Sequence, residues 1–156
     1  MTANKIHILS APKHSGKTTQ LARWAGARHD VFGILTPIVN GKRVFMDAHT
    51  KEQFHMEATE DEIDILEIGK YRFSKKSFDK AIGILLEALN EKTGFIIVDE
   101  IGPLELRGFG FSEVLQTLLD KANTPMQIVL VMREALLEDV ADHFQLNRFT
   151  VTPMNF

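Results

Sequence analysis

Two stretches constrain the fold of this 156-residue chain most: FIIVDE, Phe95 to Glu100, and QIVLVM, Gln127 to Met132. Each is a short apolar run without the polar alternation of a strand that has one wet face. Such strands are buried on both sides, so the chain must supply helices to cover a sheet twice. Ser77 to Glu91 carries Phe78, Ala81, Ile82, Leu85, Leu86 and Leu89 at helical spacing, with Ser77 as the cap and Gly94 closing the segment. Ser112 to Ala122 turns Val114, Leu115, Leu118 and Leu119 inward, and Arg133 to Phe144 does the same with Leu136, Leu137, Val140 and Ala141. Thr18 to Arg28 forms a helix near the N-terminus. KIHILS (Lys5 to Ser10), VFGILTP (Val31 to Pro37) and RFTVTP (Arg148 to Pro153) read as further strands, and Asn40-Gly41 marks a type I′ hairpin within Ile38 to Phe45. Residues 47–69 are polar and acidic around ATEDEID, Ala58 to Asp64, before a strand at ILEIG. Strands alternating with helices predict one α/β domain over residues 1–156. Its sheet is mostly parallel, with helices on both faces and an antiparallel hairpin at an edge.

Charge and composition narrow the function classes. The net charge is −3, which gives no electrostatic reason to expect nucleic acid or an anionic membrane as a partner. There is no cysteine, so disulfides, thiolate metal sites and cysteine nucleophiles are excluded. The first apolar run, Ile6 to Leu9, is too short for a signal peptide and is broken by His7. No apolar run approaches the roughly 18 residues of a membrane span. The expectation is a cytoplasmic protein, with its protein partners unspecified.

The chemistry is concentrated at SAPKHSGKTTQ, Ser10 to Gln20. It closes as a phosphate-binding loop closes, with Gly16-Lys17-Thr18, but has Ala11 where the fingerprint places its first glycine. A strand precedes it and a helix follows, the context in which successive backbone N–H groups form an anion nest at a helix N-terminus. Position 11 starts the turn, and Pro12 holds it extended, which alanine tolerates. Ala11, Pro12, Lys13, His14, Ser15, Gly16, Lys17, Thr18 and Thr19 are therefore the candidate nucleotide-binding residues. Gly16 lets the backbone approach phosphate, Lys17 reaches the β- and γ-phosphates, and the Thr18 hydroxyl is a ligand for Mg²⁺. The apolar strand ending in Asp99-Glu100 supplies the partner: Asp99 for the hydrated Mg²⁺, and Glu100 as the base for an attacking water. Lys17 and Glu100 are thus the candidate catalytic pair, with Thr18 and Asp99 at the metal.

These motifs resemble those of the thermophilic-type or cancer-related nucleoside-triphosphatase family, within the RecA-like branch of P-loop proteins. The matching residues are Ser15 to Thr19, Gly33 with Thr36, Gly41-Lys42-Arg43, Gly69-Lys70-Tyr71, Asp99 to Leu106 and Thr152 to Asn155. The resemblance implies slow, Mg²⁺-dependent hydrolysis of ATP, GTP and other nucleoside triphosphates to diphosphate and phosphate. The chain departs from the family pattern at Ala11, at Pro37-Ile38-Val39 where the family carries charges, and in a short segment before Gly69.

Other residues have weaker claims. Arg107 is a candidate arginine finger and Arg133 a candidate γ-phosphate sensor. Lys70 and Tyr71 are candidates for a base or ribose pocket, and Phe109 and Phe111 for a cap. His49 and His55 have no metal-ligand spacing. Two other functions stay open: a nucleotide-binding regulator with little turnover, and a kinase acting on a small acceptor.

Overall fold

The computed structural model describes residues 5–12, 15–122, 125–154 and 156. In chain order the elements are β1 (Lys5–Ala11), α1 (Lys17–Gly26), β2 (Val31–Leu35), β3 (Ile38–Val39), β4 (Lys42–Asp47), β5 (Gln53–His55), β6 (Ile65–Ile68) and β7 (Tyr71–Ser74). There follow α2 (Lys75–Ala88), β8 (Phe95–Ile101), α3 (Pro103–Leu106), α4 (Ser112–Lys121), β9 (Gln127–Arg133), α5 (Leu137–His143) and β10 (Thr150–Pro153).

The main sheet runs β10-β1-β9-β8-β2-β4-β3, with β5 added to β4. The five strands from β10 to β2 are parallel, and β4 pairs antiparallel with β2. This is the expected α/β architecture, with one strand, β9, lying between β1 and β8. The predicted hairpin is present: Asn40 and Gly41 both have positive φ, the type I′ signature, and β3 pairs with β4 across them.

The central strands bury alternate residues on opposite faces. Ile97, Val129 and Val131 pack against Leu21 and Ala25 of α1. Ile96, Val98, Ile128 and Leu130 face Phe78, Ala81 and Leu85 of α2, Leu115 and Leu118 of α4, and Val140 of α5. One helix covers the first face and three cover the second, which explains the unbroken apolar runs.

Several boundaries differ from expectation. The α2 helix is capped by Ser74, whose hydroxyl accepts from the Ser77 N–H at 3.1 Å, so Ser77 is the third helical residue and not the cap. Both serines suit a cap, and β7 decides between them by delivering the chain to Ser74. Arg133 belongs to β9, where it pairs opposite Ala11 of β1, and α5 begins only after a 3₁₀ turn at Glu134–Leu136. Gly102-Pro103 opens the short helix α3 after β8. The strand at ILEIG is β6, and it forms a separate hairpin with β7.

Leu85 is fully buried in the larger core. Leu85→Ala should cost about 2–5 kcal/mol of folding stability through lost contacts and a residual cavity. Chemical denaturation with an unchanged m-value is the check.

Candidate active site

The loop between β1 and α1 delivers Gly16 to the N-cap of α1 with φ +80°, a left-handed conformation that favours glycine. A Cβ there would meet no atom within 4 Å, so among the described residues backbone geometry, not crowding, calls for glycine. Ala11 ends β1 in regular pairing, and Pro12, Ser15 and Thr19 are exposed. Lys13 and His14 lie outside the described residues. Lys17, although charged, is only 6% exposed.

Its partner comes from β8. The Lys17 Nζ lies 2.9 Å from a Glu100 carboxylate oxygen. Ladder pairing between β8 and β9 slips at this point, with Asp99 opposite Val131 and Ile101 opposite Met132, so Glu100 has no ladder partner on β9. Its neighbour Asp99 is fully buried. Asp99 Oδ2 accepts from the Thr18 hydroxyl at 3.0 Å and from the Thr36 N–H at 3.1 Å. Among the described residues Oδ1, which is buried, has no hydrogen-bond partner. Burial pushes the Asp99 carboxyl up to about 6, and the Thr36 and Thr18 donors only partly offset this. Residues 17, 18, 99 and 100, chosen from sequence, thus converge at the C-terminal end of the parallel sheet, where ligands of open α/β sheets bind.

Glu105 lies within the matching run Asp99 to Leu106, which gives it no role of its own, and it lines the cleft beside the acids. It is 3% exposed, and its two oxygens accept from the N–H groups of Gly102 at 2.8 Å and Phe111 at 2.9 Å. These bonds hold α3 against the start of α4. Burial outweighs the two donors and pushes the carboxyl up to about 7. Gly110 has φ +60°, and a Cβ there would stand 2.1 Å from Glu105 Oε2, so the carboxylate requires the glycine beside it. The available signal is Gly102-Pro103 followed by glutamate at the third helical position, a capping pattern.

A cleft of about 590 Å³ opens beside the acids. It is lined by Thr36, Arg43, Asp99, Glu100 and Arg133, and farther out by Lys70 and Tyr71. Arg43 donates to the Thr36 carbonyl at 2.8 Å. Arg107 is exposed and does not line this cleft. Phe111 is buried in the core, whereas Phe109, 56% exposed, borders a separate groove between α2 and α4. His55 pairs with Glu62 at 2.9 Å, and His49 stacks on Phe32. Among the described residues no group of His, Asp and Glu is arranged to hold a metal by itself.

A family profile described as NTPase matches residues 6–156. The chain belongs to this NTPase family. THEP1 from the hyperthermophile Aquifex aeolicus is similar in structure, with a TM-score of 0.73, 18% identity, and coverage of 96% of this chain and 88% of that one. A human cancer-related nucleoside triphosphatase, known from a solution structure, gives a TM-score of 0.65 at 20% identity over 99% of this chain and 88% of its own. Comparison with curated proteins gives no significant match. The family match agrees with the motif resemblance, and the structural neighbours agree with the α/β fold. No helix among the described residues is long and apolar enough to cross a membrane.

Glu105→Gln tests the buried carboxylate of this NTPase-family chain. Glutamine turns an amide N–H₂ toward one of two backbone donors, at a cost of about 1–3 kcal/mol. The pH dependence follows from the raised pKa. The folded state holds the Glu105 proton longer than the unfolded chain, so this group's contribution to stability falls as pH rises from about 4.5 through about 7 and then levels off. Denaturation of wild type and variant across that range should show a shallower fall in the variant.

Proposed function

We propose that the protein hydrolyses nucleoside triphosphates such as ATP or GTP, with Mg²⁺, to the diphosphate and phosphate. The observation that carries this reading is the joint convergence of Lys17 on Glu100 and of Thr18 on Asp99. The loop N–H groups and Lys17 bind the triphosphate tail, and Lys17 leaves its ion pair to meet the β- and γ-phosphate oxygens. That exchange frees Glu100, which accepts the proton of a water aligned on the γ-phosphorus.

The donor set fits Mg²⁺. Asp99 Oδ1 is buried without a hydrogen-bond partner, next to the Thr18 hydroxyl, and a buried unpaired carboxylate oxygen is costly unless something occupies it. Thr18 and Asp99 would hold the hydrated cation, which neutralises charge on the triphosphate when bound. Thr36 fixes Asp99 through its backbone N–H, so this positioning does not depend on the charges missing from Pro37-Ile38-Val39.

The test is phosphate release from ATP and GTP with Mg²⁺, alongside nucleotide binding. Glu100→Gln should keep nucleotide binding and lose turnover by ~10²-fold or more, the usual effect of removing a general base. Lys17→Ala should weaken binding itself. Wild type that binds nucleotide yet releases no more phosphate than Lys17→Ala would sink the hydrolase reading.

A further inference from the structure

We propose that the cleft beyond Glu100 is a second ligand subsite, on the attack side of the γ-phosphate, for a ring-bearing anion of nucleoside-monophosphate size. The inference rests on the hydrolase reading for the position of the triphosphate. In phosphoryl transfer the attacking and leaving oxygens lie roughly in line with the phosphorus. Glu100, as the base for the incoming water, marks the attack side of that line. The nucleoside lies behind the phosphate loop, and the incoming group lies beyond Glu100.

The cleft occupies that second region. Its lining starts at Arg133 on β9, passes Asp99 and Glu100 on β8 and Thr36 after β2, and continues to Arg43 on β4 and Ile38 on β3. No described residue of β1 or α1 contributes to it. Of the loop's described residues, Pro12, Ser15 and Gly16 do not line it either, so on this account the space lies on the Glu100 side of α1 and is separate from the triphosphate's own base. A water occupies about 30 Å³ in the liquid, so hydrolysis alone needs only a small part of about 590 Å³. A volume of this size is typical of small-molecule sites.

The lining defines the occupant. Arg43 and Arg133 are half-buried, and Lys42 stands exposed at the margin. Among the described residues Arg133 and Lys42 form no ion pair with a carboxylate, while Arg43 donates to the Thr36 carbonyl and its charge acts on Asp99. Of the acids in the lining, Glu105 is bonded to Gly102 and Phe111, and Asp99 and Glu100 serve the phosphate side, which leaves Glu57. Unpaired cations in a cleft attract an anionic group. The other walls are apolar and aromatic, with Phe73 and Leu104 inside and Tyr71 43% exposed at the rim, its ring parallel to Phe73 at 6.0 Å and 5.6 Å from Lys70 Nζ, an aromatic patch against which a flat ring can pack. A phosphate joined to a ring system meets both demands.

The experiment titrates guanosine monophosphate and adenosine monophosphate by calorimetry, into free protein and into protein saturated with Mg²⁺ and a β,γ-imido triphosphate. At least one monophosphate should bind once per chain in both cases. Tyr71→Ala should weaken that binding about tenfold, the scale of one lost base–aromatic stack. Lys42→Ala should weaken it severalfold and reduce its salt dependence. Lys42→Ala should bind the triphosphate analogue as wild type does, while Lys17→Ala should lose the analogue and keep the monophosphate. Absence of monophosphate binding to wild type would overturn the proposal. So would monophosphate binding that disappears in Lys17→Ala and survives in Tyr71→Ala, because the ligand would then occupy the phosphate loop. Failure of the triphosphate analogue to bind wild type would count against the hydrolase reading instead, and the titration of free protein keeps the two outcomes apart.

Discussion

The carboxylate of Asp99 is the constraint on which the rest of the site depends. A fully buried acid at the end of a central strand is unfavourable unless its oxygens are occupied. One oxygen takes a hydroxyl from α1 and a backbone N–H from the segment after β2, tying together residues 18, 36 and 99. Asp99 thereby fixes the start of α1 relative to β8 across the intervening β9. Glu100, one residue on and at a slip in the ladder, reaches Lys17 from the same strand end. Two successive acids thus set the distance between the phosphate loop and its chemical partner.

Glu105 has a comparable role a short way along the chain. Its buried carboxylate accepts one N–H from each end of the α3 segment and so shapes a wall of the cleft. The β3–β4 and β6–β7 hairpins supply further walls, and they are tied to the larger core through Phe45 of β4 and through Leu66, Ile68 and Phe73. The site therefore combines a rigid floor, the parallel strand ends, with a surround of short elements. Such a division suits a fold whose chemistry stays fixed while its surroundings vary.

What can be read from sequence follows the range of the interactions. FIIVDE and QIVLVM identify themselves because burial on both faces removes polar alternation from the strand itself. The type I′ turn at Asn40-Gly41 is legible because its signal lies in two adjacent residues. The cap of α2 is ambiguous in sequence because Ser74 and Ser77 are locally equivalent, and only β7 chooses between them. Glu105 passes as a surface acid because both of its donors, Gly102 and Phe111, become neighbours only when the chain folds around it. Within residues 47–69, β5 is opaque because it exists through pairing with β4, not through a periodicity of its own.

The sequence by itself determined the α/β class and singled out Gly16, Lys17, Thr18, Asp99 and Glu100 as candidates, since each is written in a contiguous motif or period. Tertiary structure alone decided that Thr36 holds Asp99, that Lys17 pairs with Glu100 and that a broad cleft lies beyond them. Those features join segments tens of residues apart, and their energies come from burial and hydrogen bonding that exist only once the sheet has brought the strand ends together.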